Sequence, residues 1–124
     1  MEVYREILPQ SYLLILTDTD PTDAGAPAAS LAYALRRASR SGKSSIWVDC
    51  SHLRRLPLSA LRVLLRYYRR LQQRNVSLVL CHVGTAAHQL AAKLPTAAFP
   101  AVLPSLLDAE RYCNRRQSAV PLAA

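Results

Sequence analysis

Ile46-Trp47-Val48-Asp49-Cys50-Ser51-His52-Leu53 is the stretch on which the fold turns. Ile46 to Cys50 is a short apolar run with Gly and Ser before it and Ser51 after it, which suits a central strand buried on both faces. The loop that follows contains Pro57, and Ser59 opens a helix expected to run to about Arg74. In that helix Leu61, Leu64, Leu65, Tyr68 and Leu71 recur at helical spacing, while Arg62, Arg66, Arg69 and Arg70 fall on the other face. Asn75 suits a helix C-terminal turn. Val76 to Val83 then reads as another buried strand, ended by Gly84. Strand, helix, strand in succession calls for a parallel pair joined by a right-handed crossover.

The flanks extend the pattern. Glu2 to Leu8 alternates loosely and stops at Pro9, as a short edge strand does. Tyr12 to Thr17 is a second strand after a tight connection at Pro9-Gln10-Ser11, so the pair adds an antiparallel edge. Thr17 to Asp23 is a loop by composition. A helix starts near Ala26–Ala28 with Pro27 in its first turn, aligns Ala28, Leu31, Leu35 and Ala38 on one face, and stops at Gly42. Toward the C-terminus, Thr85 caps a helix from Ala86 to Leu94, which Pro95 ends. Ala98 to Leu103 forms a last short strand, and Ser105 caps a helix to about Asn114. The expectation is an α/β fold, a small mixed sheet of four to five strands flanked by helices. One domain spans residues 1–112, with 113–124 as a C-terminal tail lacking periodicity.

Composition narrows the function classes. A chain of 124 residues, 51% hydrophobic, is too apolar for a disordered segment and long enough for a core without disulfides. Leu13 to Leu16 is the longest clean apolar run near the N-terminus, far short of the roughly 18 residues of a membrane span. Glu2, Arg5 and Glu6 interrupt any signal peptide, and three cysteines suggest reduced thiols in a cytoplasmic protein. The net charge of +8 is concentrated. Arg36, Arg37, Arg40, Lys43, Arg54, Arg55, Arg62, Arg66, Arg69, Arg70 and Arg74 follow one another with Asp49 as the sole acid between Arg36 and Arg74. Such a run reads as two solvated basic helix faces, or as a surface for nucleic acid or an acidic partner.

Reactive chemistry is sparse. Gly25, Gly42 and Gly84 stand apart, so there is no phosphate-cradling glycine loop, and no serine sits in a nucleophile elbow. Asp18, Asp20 and Asp23 share one loop and suit turn chemistry, so no enzyme is expected. Cys50, His52, Cys81 and His82 leave adjacent strands, but successive strand residues point to opposite faces. Neither a metal site nor a cofactor is expected, and Cys113 and His88 lie elsewhere in the chain. Ser59 is the sharper feature. At a helix start its hydroxyl can accept from a free backbone N–H. A phosphate there would meet unpaired N–H groups, with Arg62 a turn inward and Arg54 and Arg55 just upstream.

The residues from Ile46 to Leu53, Ser59-Ala60-Leu61-Arg62-Val63-Leu64-Leu65, Arg69-Arg70-Leu71 and Val76-Ser77-Leu78-Val79-Leu80 together resemble a STAS domain, the family of bacterial anti-sigma factor antagonists. That family reads as an apolar strand, Asp-x-Ser-x-Leu, a short loop, Asp-Ser-Ser-Gly-Leu, an apolar helix and another apolar strand. Phe99 to Leu106 also resembles the family's last strand and helix start, so the likeness covers essentially residues 1–112. The resemblance implies a non-enzymatic interaction module of transcription regulation. Its partner would be a serine kinase that doubles as an anti-sigma factor, and phosphorylation at Ser59 would switch the binding off. Arg54, Arg55, Leu58 and Arg62 would lie in the partner-binding surface. This chain departs from the motif, reading Pro57-Leu58-Ser59-Ala60 where the family has Asp-Ser-Ser-Gly. Two alternatives stand beside this reading, a STAS subunit of a lipid-transport ATPase complex and a basic nucleic-acid-binding domain. The latter lacks a helix-turn-helix context and an aromatic platform.

Overall fold

The computed structural model describes residues 1–18, 27–84 and 99–118. In chain order these form β1 (Glu2–Ile7), β2 (Ser11–Thr17), α1 (Pro27–Ser39), β3 (Ser45–His52), α2 (Leu58–Gln73), β4 (Ser77–Cys81), β5 (Ala101–Leu103) and α3 (Leu106–Ser118). One five-stranded sheet has the order β1-β2-β3-β4-β5. β1 runs antiparallel to β2, and the remaining neighbours are parallel. This is the mixed sheet expected from the sequence, with the hairpin as its antiparallel edge.

Alternation along the strands divides the core in two. Tyr12, Leu14, Leu16, Ile46, Val48, Cys50, Leu78 and Leu80 face one side. There they meet Leu31, Leu35 and Ala38 of α1 and Ala60, Leu61, Leu64, Tyr68 and Leu71 of α2. Leu13, Trp47, Val79 and Cys81 face the other side and meet Ala109 and Cys113 of α3. β3 is buried on both faces from Ser45 to Cys50, as its unbroken apolar run requires. At its start, the Ser11 and Ser45 hydroxyls share a buried hydrogen bond of 2.7 Å, so the polar atoms of both find a partner.

Helix ends follow local chemistry. Gly42, at φ +78°, takes the left-handed conformation after α1. Asn75 does the same after α2, at φ 58°. Its N–H donates to Gln72 O and the Val76 N–H donates to Leu71 O, the paired bonds of a Schellman motif. Ser105 Oγ accepts from the Asp108 N–H at 3.2 Å and donates to its carboxylate at 2.7 Å, capping α3.

Some boundaries move. β3 is longer than the apolar run, because ladder pairing to β2 carries it on to His52. β4 and β5 are shorter than expected: His82, at φ 56°, turns the chain out of the sheet directly after β4, and β5 pairs only over Ala101–Leu103. α3 continues to Ser118, four residues beyond the expected end near Asn114. Cys113, just before that expected end, packs against the sheet. The expected helix from Ala86 to Leu94, its cap Thr85, the acids Asp20 and Asp23, His88 and residues 119–124 lie outside the described residues.

Candidate functional site

At the end of β3 the chain leaves the sheet through a pinned loop. Asp49 is buried, and its carboxylate accepts the Ser51 N–H at 2.9 Å. The Leu53 N–H donates to Cys50 O at 3.1 Å. Arg54 N–H donates to Asp18 Oδ2 at 3.0 Å, tying this loop to the one that leaves β2. Leu53 and Leu56 turn partly inward against the core, which leaves Arg54 and Arg55 exposed. Asp49→Ala removes the buried carboxylate that accepts the Ser51 N–H, at an expected cost of about 1.5–3 kcal/mol. Urea denaturation measures it, and a midpoint unchanged from wild type would show that Asp49 does not anchor the loop.

The start of α2 differs from the sequence expectation. Ser59 was expected to cap the helix, but Pro57 occupies that position, at φ −62° and ψ 147°, and no side chain caps the end. Pro57 has its φ fixed by the ring, and its carbonyl already accepts the Leu61 N–H at 3.0 Å. The helix therefore begins at Leu58, and Ser59 is its second residue. Its hydroxyl is on the surface rather than turned onto a backbone donor. The unpaired N–H groups of the first turn still surround it, so a negative charge at Ser59 would be favoured by the helix end.

Leu58 is 61% exposed, whereas Ala60 is fully buried beneath it. Arg62 lies four residues after Leu58 and three after Ser59, so both border it on one exposed helix face. Arg54 and Arg55 stand in the loop just before it. The result is an apolar side chain, a hydroxyl and several guanidinium groups displayed on a rigid element. This is a surface suited to contact, with no paired acid and base or oxyanion cradle assembled at it.

The thiols sit apart from this surface. Burial, reinforced by the Asp49 charge and Cys81, pushes the Cys50 thiol up to about 12. Burial also pushes the Cys81 thiol up to about 12, with the Asp49 charge, Cys113 and Asp108 adding to it. Cys50 faces α1 and α2 and Cys81 faces α3, as strand alternation dictates. Cys113, which the sequence placed away from the other thiols, shares a cluster with Cys81. There its sulfur accepts the Trp47 indole N–H at 3.4 Å. Among the described residues no group of three His, Cys, Asp or Glu side chains is placed to hold a metal ion. Among the same residues no helix is long and apolar enough to cross a membrane.

Comparison with known proteins places this arrangement in context. A family model described as "Mlab, STAS domain" matches residues 24–98. An RsbS variant from Moorella thermoacetica has a TM-score of 0.74 at 15% identity, covering 95% of this chain and 99% of its own. A Thermotoga maritima protein has a TM-score of 0.73 at 10% identity, covering 91% and 95%. The unphosphorylated anti-sigma factor antagonist SpoIIAA has a TM-score of 0.61 at 12% identity, covering 95% and 99%. No curated protein matches the chain.

Proposed function

The chain belongs to the STAS domain family, and from that premise we propose that it is a non-catalytic interaction module of a regulatory system. The observation that carries this reading is the display of Leu58, Ser59 and Arg62 on one exposed face at the start of α2. The partner surface extends over the loop from Leu53 to Leu58, with Arg54 and Arg55 at its rim. The partner class we propose is a serine kinase of the anti-sigma type, the partner that the family motif around Ser59 implies.

Phosphate on Ser59 would release that partner. It brings about −2 charge beside the exposed Leu58, where the contact would otherwise be apolar. Ser59→Asp is expected to weaken partner binding about tenfold or more, and Ser59→Ala to leave it near wild type. Titration calorimetry with the cognate kinase reads both values. Equal affinities for the two variants would discard the switch and leave the binding role standing. Pro57 and Ala60 replace the acid and glycine of the family motif. A kinase that requires those residues would not modify this chain, and the module would then bind constitutively.

A second reading is a STAS subunit of a lipid-transport ATPase complex, favoured by the description of the matching family model. Affinity capture separates the two. Recovery of an ATPase subunit supports the second, and recovery of a serine kinase supports the first.

A further inference from the structure

α1 and α2 pack side by side on one face of the sheet. Their outer surfaces carry Arg36, Arg37, Arg62, Arg66, Arg69 and Arg70, with Arg40 and Arg74 just past the helix ends, all exposed. Neither helix contains an acidic residue. Four of these arginines, Arg62, Arg66, Arg70 and Arg74, follow at four-residue steps. Helix geometry sets such residues about 6 Å apart along the axis, a ladder roughly 18 Å long. Like charges at that spacing destabilise a helix, so the pattern opposes the stability of α2.

The ladder borders two hollows. One, of about 440 Å³, is lined by Arg62, Arg66, Arg69 and Arg70 around Leu65. The other, of about 390 Å³, lies between the C-terminal ends of the two helices. Arg36 and Arg40 face Arg70 and Arg74 across it, with Tyr67 and Leu71 among its walls. Arg70 lines both hollows, which makes them neighbours, and its guanidinium is held over the Tyr67 ring at 5.5 Å.

The geometry points to a docking groove for an acidic amphipathic helix of a partner protein. Carboxylates at every fourth position of such a helix match the arginine steps, and each guanidinium can take a carboxylate by two parallel bonds. Apolar side chains between those carboxylates fit the half-buried Leu65 and Tyr67. A nucleic-acid backbone would use the cations but gain nothing from an apolar floor, which decides the choice of occupant. This inference rests on the reading of the chain as an interaction module, and it names the chemistry of the partner.

Fluorescence anisotropy with the full chain at physiological salt tests it with three probes. The first is a helical peptide with Glu at every fourth position and Leu between. The second has the same composition with Glu scattered round the helix, and the third is a short DNA duplex. The patterned peptide is expected to bind at least tenfold tighter than the scattered one. R66Q/R70Q is expected to lose at least tenfold of that affinity. R111Q/R115Q, an equal charge change on α3, is expected to keep it. Equal affinity for both peptides, equal losses in the two double variants, or tighter binding of the duplex would each overturn the assignment. With a cognate partner in hand, unchanged binding by R66Q/R70Q overturns the groove and leaves the module reading intact. Capture of no protein by the wild-type chain overturns the module reading, while the peptide result still judges the groove.

Discussion

Thiol labelling of the native chain is expected to be at least roughly a thousandfold slower at Cys50 and Cys81 than in the unfolded chain. Only the thiolate attacks a disulfide reagent. A thiol moved from 9.0 to about 12 holds about a thousandth as much thiolate at pH 8. Burial of both sulfurs adds a barrier of access. Ellman's reagent at pH 8, with and without concentrated guanidinium, reads the two rates, and mass analysis assigns the labelled cysteine. Rapid native labelling of Cys50 would contradict the buried placement of that side chain. The same shift sets an alkaline limit to stability. Both states keep these thiols protonated below about pH 9. Between about 9 and 12 the unfolded chain ionises first, so stability falls as the pH rises through that window. Denaturant midpoints should therefore be flat with respect to these groups at neutral pH and decline above about 9.

Leu64→Ala is expected to cost about 2–5 kcal/mol, a large share of the roughly 5–15 kcal/mol available to a domain of this size. Leu64 is fully buried at the middle of α2, within the cluster that joins α1, α2 and the sheet. Truncation leaves a cavity that the strands beneath cannot fill by a small shift. Leu58→Ala supplies the contrast on the same helix. Leu58 is 61% exposed, and its truncation is expected to change stability by about 0.5 kcal/mol or less. Urea unfolding distinguishes them, since the Leu64→Ala midpoint should drop at an unchanged slope. Similar midpoints for the two variants would mean that α2 does not seat on the sheet as described. The pair also separates roles, because Leu58→Ala should weaken partner binding without loosening the fold.

Much of the architecture follows from rules that act over a few residues. The 3.6-residue period of Leu61, Leu64, Tyr68 and Leu71 specified which face of α2 would be buried, and those residues are buried, whereas Leu65, expected in the same stripe, sits at its edge and is only partly covered. The unbroken run Ile46 to Cys50 identified a strand covered on both sides. Strand, helix, strand succession gave the parallel neighbours, and the edge hairpin followed from the Pro9 turn. Asn75 was readable as a helix stop because its side chain tolerates a positive φ. That Leu58 and Ser59 share an exposed face with Arg62 was not readable, because the sequence left Leu58 in the loop and the structure makes it the first residue of α2.

Where the chain closes on itself, sequence was silent. Trp47 and Cys113 are 66 residues apart, and nothing near either one announces their hydrogen bond. Arg54 and Asp18 meet across 36 residues, which ties two loops together beside the candidate surface. The start of α2 was misplaced because Ser59 is a good capping residue in isolation. Pro57, with its fixed φ and a carbonyl already in use, starts the helix earlier. The net charge of +8 was plain from composition, but its meaning was not. Only the packing of α1 against α2 sets Arg36 and Arg40 across a hollow from Arg70 and Arg74. Local periodicity places a residue on a face. Which two faces meet is settled by how helices of fixed diameter share one side of a twisted sheet.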